Sequence, residues 1–278
     1  MDQPPGSGSQ VVAWRPPVAG VGEVLHARLV GFAYPPHCHD RWTVLLVDGG
    51  AVRYDLDRRQ RDGGRRTVHV LPPGVMHDGR PGPAGMTKRV LYLDETWLAD
   101  RLVGRAVDVG PLADPDLAGC LADAHRHLAA GDPMAAESAV AVGAERISAH
   151  LARHPAAPPP PERAVARRLR RHLDETPLSE VRLVDAAAAL YRSVAHLVRS
   201  FRAAYGLPPH AYLTGRRIDA ARTRLLDGVP PAQVAAEVGF VDQAHLTRHF
   251  RRHTGITPAA FGAGSRRAAR PPAGPVPA

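Results

Sequence analysis

The fold of this chain is decided by a motif that occurs twice near its C-terminus. The first copy reads SVAHLVRSFRAAYGLPPHAYL, residues 193–213, and the second reads DQAHLTRHFRRHTGITPAAFG, residues 242–262. A shift of 49 positions aligns the copies without a gap, and nine of the 21 aligned positions are identical. Internal repetition of this kind predicts an architecture that contains two equivalent units.

Each copy predicts a helix with defined ends. Ser193 and Asp242 are suited to the N-terminal ends, because their side-chain oxygens can accept hydrogen bonds from the amides of the first turn. Gly206 and Gly255 are suited to a left-handed C-terminal turn. Apolar residues repeat at helical spacing on one face and arginines occupy the other faces, so each helix is expected to be half buried.

A short alanine-rich run precedes each copy, LVDAAAAL at residues 183–190 and PAQVAAEV at residues 231–238. A short helix, a tight turn and a capped basic helix form the helix-turn-helix arrangement, whose second helix enters the DNA major groove. In the first unit Tyr191 stands in the turn where the second unit has Gly239. If this turn requires a positive φ angle, tyrosine costs ~1 kcal/mol or more there.

The segment AAEVGFVDQAHLTRHFRRHTGITPAAF, residues 235–261, resembles the AraC/XylS family of bacterial transcription regulators. It carries that family's glycine-phenylalanine turn, its arginine and phenylalanine positions and its closing G-x-x-P. The resemblance extends over residues 183–262. It implies two helix-turn-helix units joined by one long helix, here residues 210–228, with both recognition helices in successive major-groove segments.

The same resemblance indicates which side chains face DNA. Arginine can donate two hydrogen bonds to guanine, glutamine can pair with adenine, and small apolar side chains can contact a thymine methyl group. The implied base-facing residues are Val194, Ala195, Val198, Arg199, Gln243, Ala244, Thr247 and Arg248. For Arg202, His245 and Arg251, phosphate contact and packing both remain open.

Charge separates the two halves of the chain. Residues 1–162 hold 17 Lys or Arg and 19 Asp or Glu, whereas residues 163–267 hold 18 Arg and 8 Asp or Glu. A basic domain attracts polyanions, which is consistent with a DNA-binding domain over residues 162–262. Coding bias is an alternative source of the 35 arginines, because the chain has a single lysine, Lys88. The acidic N-terminal half argues against bias as the full explanation.

Residues 22–94 contain short β-prone runs separated by Gly- and Pro-rich turn signals, which predicts a small antiparallel barrel or sandwich. The segments HCHD, residues 37–40, and LPPGVMHDG, residues 71–79, resemble the cupin-type barrel that serves as the N-terminal sensor of many AraC-family proteins. We therefore expect an α+β protein, with a cupin-like β-barrel first and an all-α double helix-turn-helix domain last.

Such a barrel is expected to hold a small-molecule effector among apolar and aromatic side chains. The candidate effector-binding residues are Tyr34, His37, His39, Trp42, Tyr54, His77 and Tyr92. In metal-binding cupins, two close histidines and a later one can ligate a metal, as His37, His39 and His77 could here. No acidic ligand lies between them, so local hydrogen bonds or a role in lining the pocket are favoured. No metal or cofactor is predicted.

The remaining segments complete the predicted domains. Residues 95–153 show two helices with apolar stripes that either close the barrel or, as the resemblance implies, form a dimer contact. HPAAPPPP, residues 154–161, predicts a semi-rigid proline-rich linker. Residues 1–21 are expected to form a flexible arm and residues 263–278 an unfolded tail.

The sequence thus predicts a sequence-specific, DNA-binding transcription regulator that responds to an effector and is not an enzyme. Expected partners are double-stranded DNA, a second copy in a homodimer and, for an activator, RNA polymerase. The absence of a run of 18 apolar residues, of signal-peptide features and of a cysteine pattern favours the cytoplasm. Two alternatives stay open: a metal-dependent cupin enzyme fused to a DNA-binding module, and a constitutive regulator with a degenerate barrel.

Overall fold

The computed structural model describes residues 9–153 and 164–268. The N-terminal part is a seven-stranded antiparallel sheet of cupin-like form. Its strands are β1 (Gln10–Trp14), β2 (Val21–Leu29), β3 (Tyr34–His37), β4 (Trp42–Leu56), β5 (Arg59–Gly63), β6 (Val68–Leu71) and β7 (His77–Leu93). The order is β1-β2-β7-β4-β5, with β3 paired to β7 and β6 paired to β4. The long strands β4 and β7 pair along most of their length and form the centre of the sheet.

The two faces of the sheet have different neighbours because side chains alternate along a strand. On β4, Trp42, Val44 and Leu46 lie in a core shared with helices. Thr43 and Leu45 point to the opposite face, where they line a cavity. One side of the sheet is therefore covered by helices, and the other side lines a cavity.

The covering layer consists of a 3-10 helix (Asp100–Leu102), α1 (Val103–Asp108), α2 (Pro115–Ala130) and α3 (Pro133–Ala152). Asp114 and Asp132 accept hydrogen bonds from first-turn amides and thereby cap α2 and α3. The predicted apolar stripes of both helices lie in one buried core with the sheet. Of the two uses left open for these stripes, internal packing is the correct one.

The C-terminal domain is helical. Its helices are α4 (Ala164–Glu175), α5 (Leu183–Ala189), α6 (Val194–Tyr205), α7 (Pro209–Leu226), α8 (Pro231–Glu237), α9 (Gln243–Thr254) and α10 (Pro258–Ala268). The Ser193 and Asp242 side chains cap α6 and α9 through the amides of His196 and His245, at 3.2 Å and 2.6 Å. Both helices end at a left-handed glycine. The two predicted helix-turn-helix units are confirmed.

Two expectations about irregular segments are wrong. The flexible arm over 1–21 contains β1, which pairs with β2 from Gln10 opposite Arg28 to Trp14 opposite Val24. The unfolded tail from 263 begins within α10, which continues to Ala268. Residues 80–85, which are rich in Gly and Pro, lie within β7, where Arg80 and Pro81 pair with β4 and the register shifts before Met86. The linker over 154–161, residues 1–8 and residues 269–278 lie outside the described ranges.

Candidate DNA interface and ligand cavity

All of the predicted DNA-facing residues lie on α6 or α9, and none of them is buried. Ala195, Arg199, Arg202, Gln243, Ala244, Arg248 and Arg251 are exposed, while Val194, Val198, His245 and Thr247 are half-buried. Each helix carries its apolar stripe on the opposite side, with Leu197 and Phe201 on α6 and Leu246 and Phe250 on α9 fully buried. The structure therefore presents two basic helix surfaces of the same design.

His245 is held by packing inside its own unit. Its ring stacks edge-on against Phe240 at a centroid distance of 5.3 Å and against His249 at 4.7 Å. Of the two roles left open for His245, phosphate contact and packing, the geometry favours packing. Thr247 donates its hydroxyl hydrogen to the Gln243 carbonyl at 2.8 Å, so its hydroxyl oxygen can still accept a hydrogen bond and its methyl group can make an apolar contact.

The turns before the two recognition helices share a backbone conformation but differ in residue type, with Tyr191 in the first turn and Gly239 in the second. Tyr191 has a φ of 52° and Gly239 a φ of 83°, so both turns need the left-handed region. The next residue, Arg192 or Phe240, bonds through its amide to the carbonyl five positions before it, at 3.0 Å or 2.9 Å. Phe240 is buried but Arg192 is exposed, so the second unit is the better packed.

A cavity lies where the barrel meets the helical domain. Six of the seven predicted effector-binding residues line it, namely Tyr34, His37, His39, Tyr54, His77 and Tyr92. The helical domain contributes residues of α7, including Gly215, Ile218, Asp219 and Arg222, and His253 and Thr254 at the end of α9. Any ligand in this cavity would thus contact both domains, including the helix proposed to read DNA.

The prediction for Trp42 is wrong. Its side chain is fully buried on the other face of β4, in the core formed with α2 and α3. The neighbouring Thr43 takes the cavity-facing position instead. The physical reason is the two-residue alternation of strand side chains, which places Trp42 out of phase with the cavity.

Buried polar groups connect the two domains beside the cavity. Arg222 of α7 donates to Glu23 of β2 at 2.5 Å, and its guanidinium lies 4.4 Å from the centre of the Tyr92 ring. Asp219 lies one turn earlier on α7. Its carboxylate accepts a hydrogen bond from His39 Nδ1 at 2.8 Å. Burial raises the pKa of Asp219 to about 7, although Arg222 counteracts the shift. These contacts form a continuous polar chain across the domain boundary.

Three histidines of the barrel lie together beside these polar contacts. One ring nitrogen of each of His37, His39 and His77 lies within 4.8 Å of those of the other two. Burial holds the pKa of each ring below its usual range, to about 4 for His77, so all three are neutral at pH 7. Neutral imidazoles are ligands for zinc and other transition metals. The residues present therefore fit a metal ion of the kind that cupins hold.

Comparison with known proteins decides the family. A family model described as an AraC-like ligand binding domain matches residues 20–152, and one described as a helix-turn-helix domain matches residues 186–264. The chain belongs to the AraC family of transcription regulators. It is accordingly a DNA-binding regulator with an N-terminal ligand-binding domain.

Solved structures with a similar fold include ToxT of Vibrio cholerae. ToxT from strain SCE256 with bound unsaturated fatty acid has a TM-score of 0.58 and 11% identity, and the match covers 93% of this chain and 95% of ToxT. ToxT from O395 bound to (E)-4-(8-methylnaphthalen-1-yl)but-3-enoic acid has a TM-score of 0.59 and 10% identity, with 93% and 99% covered. Identity this low shows a shared fold alone. A search of curated proteins finds no match.

Several cavity residues of this AraC-family protein were missed from sequence. Lys88 lines the cavity. It could have been predicted from sequence, because it lies four residues before Tyr92 and therefore on the same face of β7. Asp219, Arg222 and His253 carried no such signal, since their position depends on how α7 and α9 dock against the barrel. No helix in the described ranges is long and apolar enough to cross a membrane.

Proposed function

We propose that this AraC-family regulator reads DNA with α6 and α9 and responds to a small organic acid held in the cavity between its domains. The observation that carries the proposal is Lys88, a buried amine in a cavity lined by both apolar and polar side chains. Within residues 9–153 and 164–268, no carboxylate forms an ion pair with it. Its Nζ lies 4.3 Å from the centre of the Tyr34 ring.

A buried charge without a partner is unfavourable, and an anionic ligand would supply the missing partner. Burial lowers the pKa of Lys88 to about 7, with Arg222 adding to the shift. A carboxylate bound beside Lys88 would favour the ammonium form and be held by it. The ligands named with the two ToxT structures are also carboxylic acids.

The size of the cavity favours a small acid. Its volume of about 70 Å³ is room for several water molecules and is far below the ~300 Å³ of a typical drug-sized pocket. Apolar walls from Leu25, Leu45, Val90 and Ile218 surround the charged groups. A short acid with a small hydrocarbon part therefore matches this cavity better than a long alkyl chain does.

The effector acts on DNA binding through the shared cavity. A ligand that contacts the barrel on one side and α7 and α9 on the other changes the stability of the domain contact. It shifts the equilibrium between docked and undocked arrangements by its difference in affinity for the two. The DNA-binding helices then engage their two sites with altered geometry.

For DNA recognition we assign base contacts to Arg199 and Arg248, which can each bind a guanine edge with two hydrogen bonds. Gln243 is assigned to an adenine, and the small side chains of Ala195 and Ala244 to thymine methyl groups. Val194, Val198 and Thr247 line the same surfaces. Arg202 and Arg251 are assigned to phosphate, which fixes position without reading sequence.

The homodimer is part of the proposal. The apolar stripes of α2 and α3 are used internally, so a dimer contact on this segment needs the outer face of α3. Met134 and Val142 on that face are 78% and 47% exposed. We further propose that the protein works in the cytoplasm, that RNA polymerase is a partner if the regulator is an activator, and that it catalyses no reaction.

The effector proposal is tested by thermal melting of the full chain with a series of carboxylic acids of increasing length. Short acids are expected to raise the melting temperature of wild type and of Lys88→Arg, which keeps the cation. They should leave Lys88→Met unchanged. The effect should weaken as pH rises above about 7, because Lys88 is charged below its pKa and neutral above it.

Two results would contradict the effector proposal. One is that no acid stabilises wild type. The other is that Lys88→Met responds as strongly as wild type. A stronger response to long-chain than to short acids would overturn the size argument alone.

A further inference from the structure

His37, His39 and His77 form the metal site that the cupin fold implies, and we propose that Asp219 of the DNA-binding domain positions His39 as a ligand in that site. Metal binding and the contact between the two domains would then stabilise each other. This inference does not depend on the acid effector proposed above, because the metal ligands and Lys88 are separate groups.

The hydrogen bonds of the three rings leave one nitrogen of each available. His37 Nδ1 lies 2.7 Å from the Pro35 carbonyl and His77 Nδ1 lies 3.0 Å from the Val75 carbonyl. A carbonyl oxygen can only accept, so both rings carry their hydrogen on Nδ1. The Nε2 atom is then a free lone pair, which is the form that a metal needs.

His39 reaches the same state through a different partner. Its Nδ1 lies 2.8 Å from Asp219 Oδ1, so the carboxylate accepts the Nδ1 hydrogen and Nε2 is left to ligate. Nowhere in the described ranges does Nε2 of these three residues have a hydrogen-bond partner. Three imidazoles with the same tautomer, buried and grouped within 4.8 Å, are a preorganised ligand set.

The spacing of the three rings sets how far their nitrogens must move to bind one metal ion. A tetrahedral zinc ion with Zn–N bonds of ~2.1 Å requires nitrogen separations of ~3.4 Å. The ring centres of His37 and His77 are 4.4 Å apart, and those of His37 and His39 are 4.8 Å apart. The ligand nitrogens, which lie within 4.8 Å of one another, would have to approach by up to about 1.4 Å to share one ion.

Asp219 gives the site its link to the helical domain. A carboxylate behind a ligating histidine fixes the ring orientation and raises its basicity, and loss of such a partner weakens metal binding by ~10–100-fold. Here the carboxylate comes from α7, not from the barrel that supplies the ligands. A bound metal makes the His39 Nδ1–H a stronger donor, and this strengthens its bond to α7.

The position of His253 supports the same coupling. It lies on the last turn of α9, lines the cavity, and its ring centre is 6.1 Å from that of His37. The second recognition helix therefore ends beside the proposed metal site. A metal that pulls the histidine rings together acts directly on the packing of α9.

His69 provides a matched control within the cavity. Its Nδ1 lies 3.0 Å from the Tyr54 hydroxyl and its Nε2 lies 2.9 Å from the Thr67 hydroxyl. Both of its nitrogens are occupied, so it is a buried cavity histidine that should contribute nothing to metal binding.

The test is calorimetric titration of the chelator-treated full-length chain with Zn²⁺. Wild type and His69→Ala are expected to bind one Zn²⁺ per chain with equal affinity. His77→Ala should bind at least ~100-fold more weakly, since a ligand is lost. Asp219→Ala should bind ~10–100-fold more weakly, with Asp219→Asn between it and wild type because the amide oxygen keeps the acceptor.

A second readout separates positioning from a general loss of structure. Amide hydrogen exchange in α7 should slow when Zn²⁺ is added to wild type and should not respond to Zn²⁺ in Asp219→Ala. If Asp219→Ala does not fold, the isosteric Asp219→Asn carries the same comparison.

Two outcomes would overturn the proposal. Wild-type affinity no greater than that of His77→Ala would remove the metal site. If a folded Asp219 variant binds Zn²⁺ as tightly as wild type, and Zn²⁺ slows amide exchange in its α7 as it does in wild type, then the DNA-binding domain has no role in the site. Neither outcome bears on DNA reading or on the acid effector, so each proposal fails separately.

Discussion

Tyr191 shows how one residue can weaken one of two equivalent units. It adopts the left-handed backbone conformation that Gly239 adopts in the second unit, and its side chain is 86% exposed. A non-glycine residue is strained there by ~1–2 kcal/mol, and no buried contact of the ring offsets that strain. The identity of the residue in the turn thus predicts a difference in stability between the two units.

Tyr191→Gly is expected to raise the free energy of unfolding by up to ~1 kcal/mol, because relief of strain exceeds the entropy that glycine adds to the unfolded chain. Gly239→Ala is the matched control and should destabilise. A Cβ at that position would lie 2.6 Å from the Leu178 carbonyl oxygen. Urea unfolding followed through the helical signal measures both. A less stable Tyr191→Gly would contradict the strain argument.

At the scale of the element, helices were easier to predict than strands. The ends of α2, α3, α6 and α9 follow from local signals, since a capping side chain or a left-handed glycine acts within one turn. Strand limits depend on partners far away in the chain. Residues 80–85 look like a turn and nevertheless lie within β7, where Arg80 and Pro81 pair with β4 before a register shift.

The two faces of β4 yield a prediction at the same scale. Trp42→Ala is expected to lower the free energy of unfolding by ~3–5 kcal/mol, because a fully buried aromatic ring is lost from the helix-facing core. Thr43→Val is the control on the cavity face and should be neutral or slightly stabilising, since the buried Thr43 hydroxyl has no partner among the described residues. Thermal melting distinguishes the two variants. Equal effects would contradict the assigned faces.

For the molecule as a whole, the sequence predicts both domains but only six of the seventeen barrel residues that line the cavity. It could not predict that α7 and α9 complete the cavity, because contact between domains is set by surface fit and not by periodicity. Asp219 and Arg222 read in sequence as ordinary polar residues of a helix. Their burial against Glu23 and His39 exists only once the two domains dock.

The docked arrangement predicts unequal roles for two ion pairs at the domain boundary. Arg222 and Glu23 are both nearly fully buried, whereas the side chains of Arg15 and Asp227 are 40% and 33% exposed. Glu23→Ala leaves a buried guanidinium with less compensation and should destabilise by ~3–5 kcal/mol. Arg15→Ala should cost less than ~1 kcal/mol. Amide exchange in α7 and thermal melting measure both variants, and similar effects would argue against the docked interface.

The central claim is that two recognition helices read a defined DNA sequence. Selection of bound sequences from a random DNA library at physiological salt tests it, with wild type beside Arg248→Ala and Arg199→Ala. We expect a motif with two blocks in successive major-groove segments. Arg248→Ala should reduce the base preference at one position of one block, and Arg199→Ala should do so at one position of the other. Each substitution should lower the free energy of discrimination between bases at its position by ~1–3 kcal/mol. Binding that falls steeply with salt but selects no motif would reflect phosphate attraction alone and would contradict the claim.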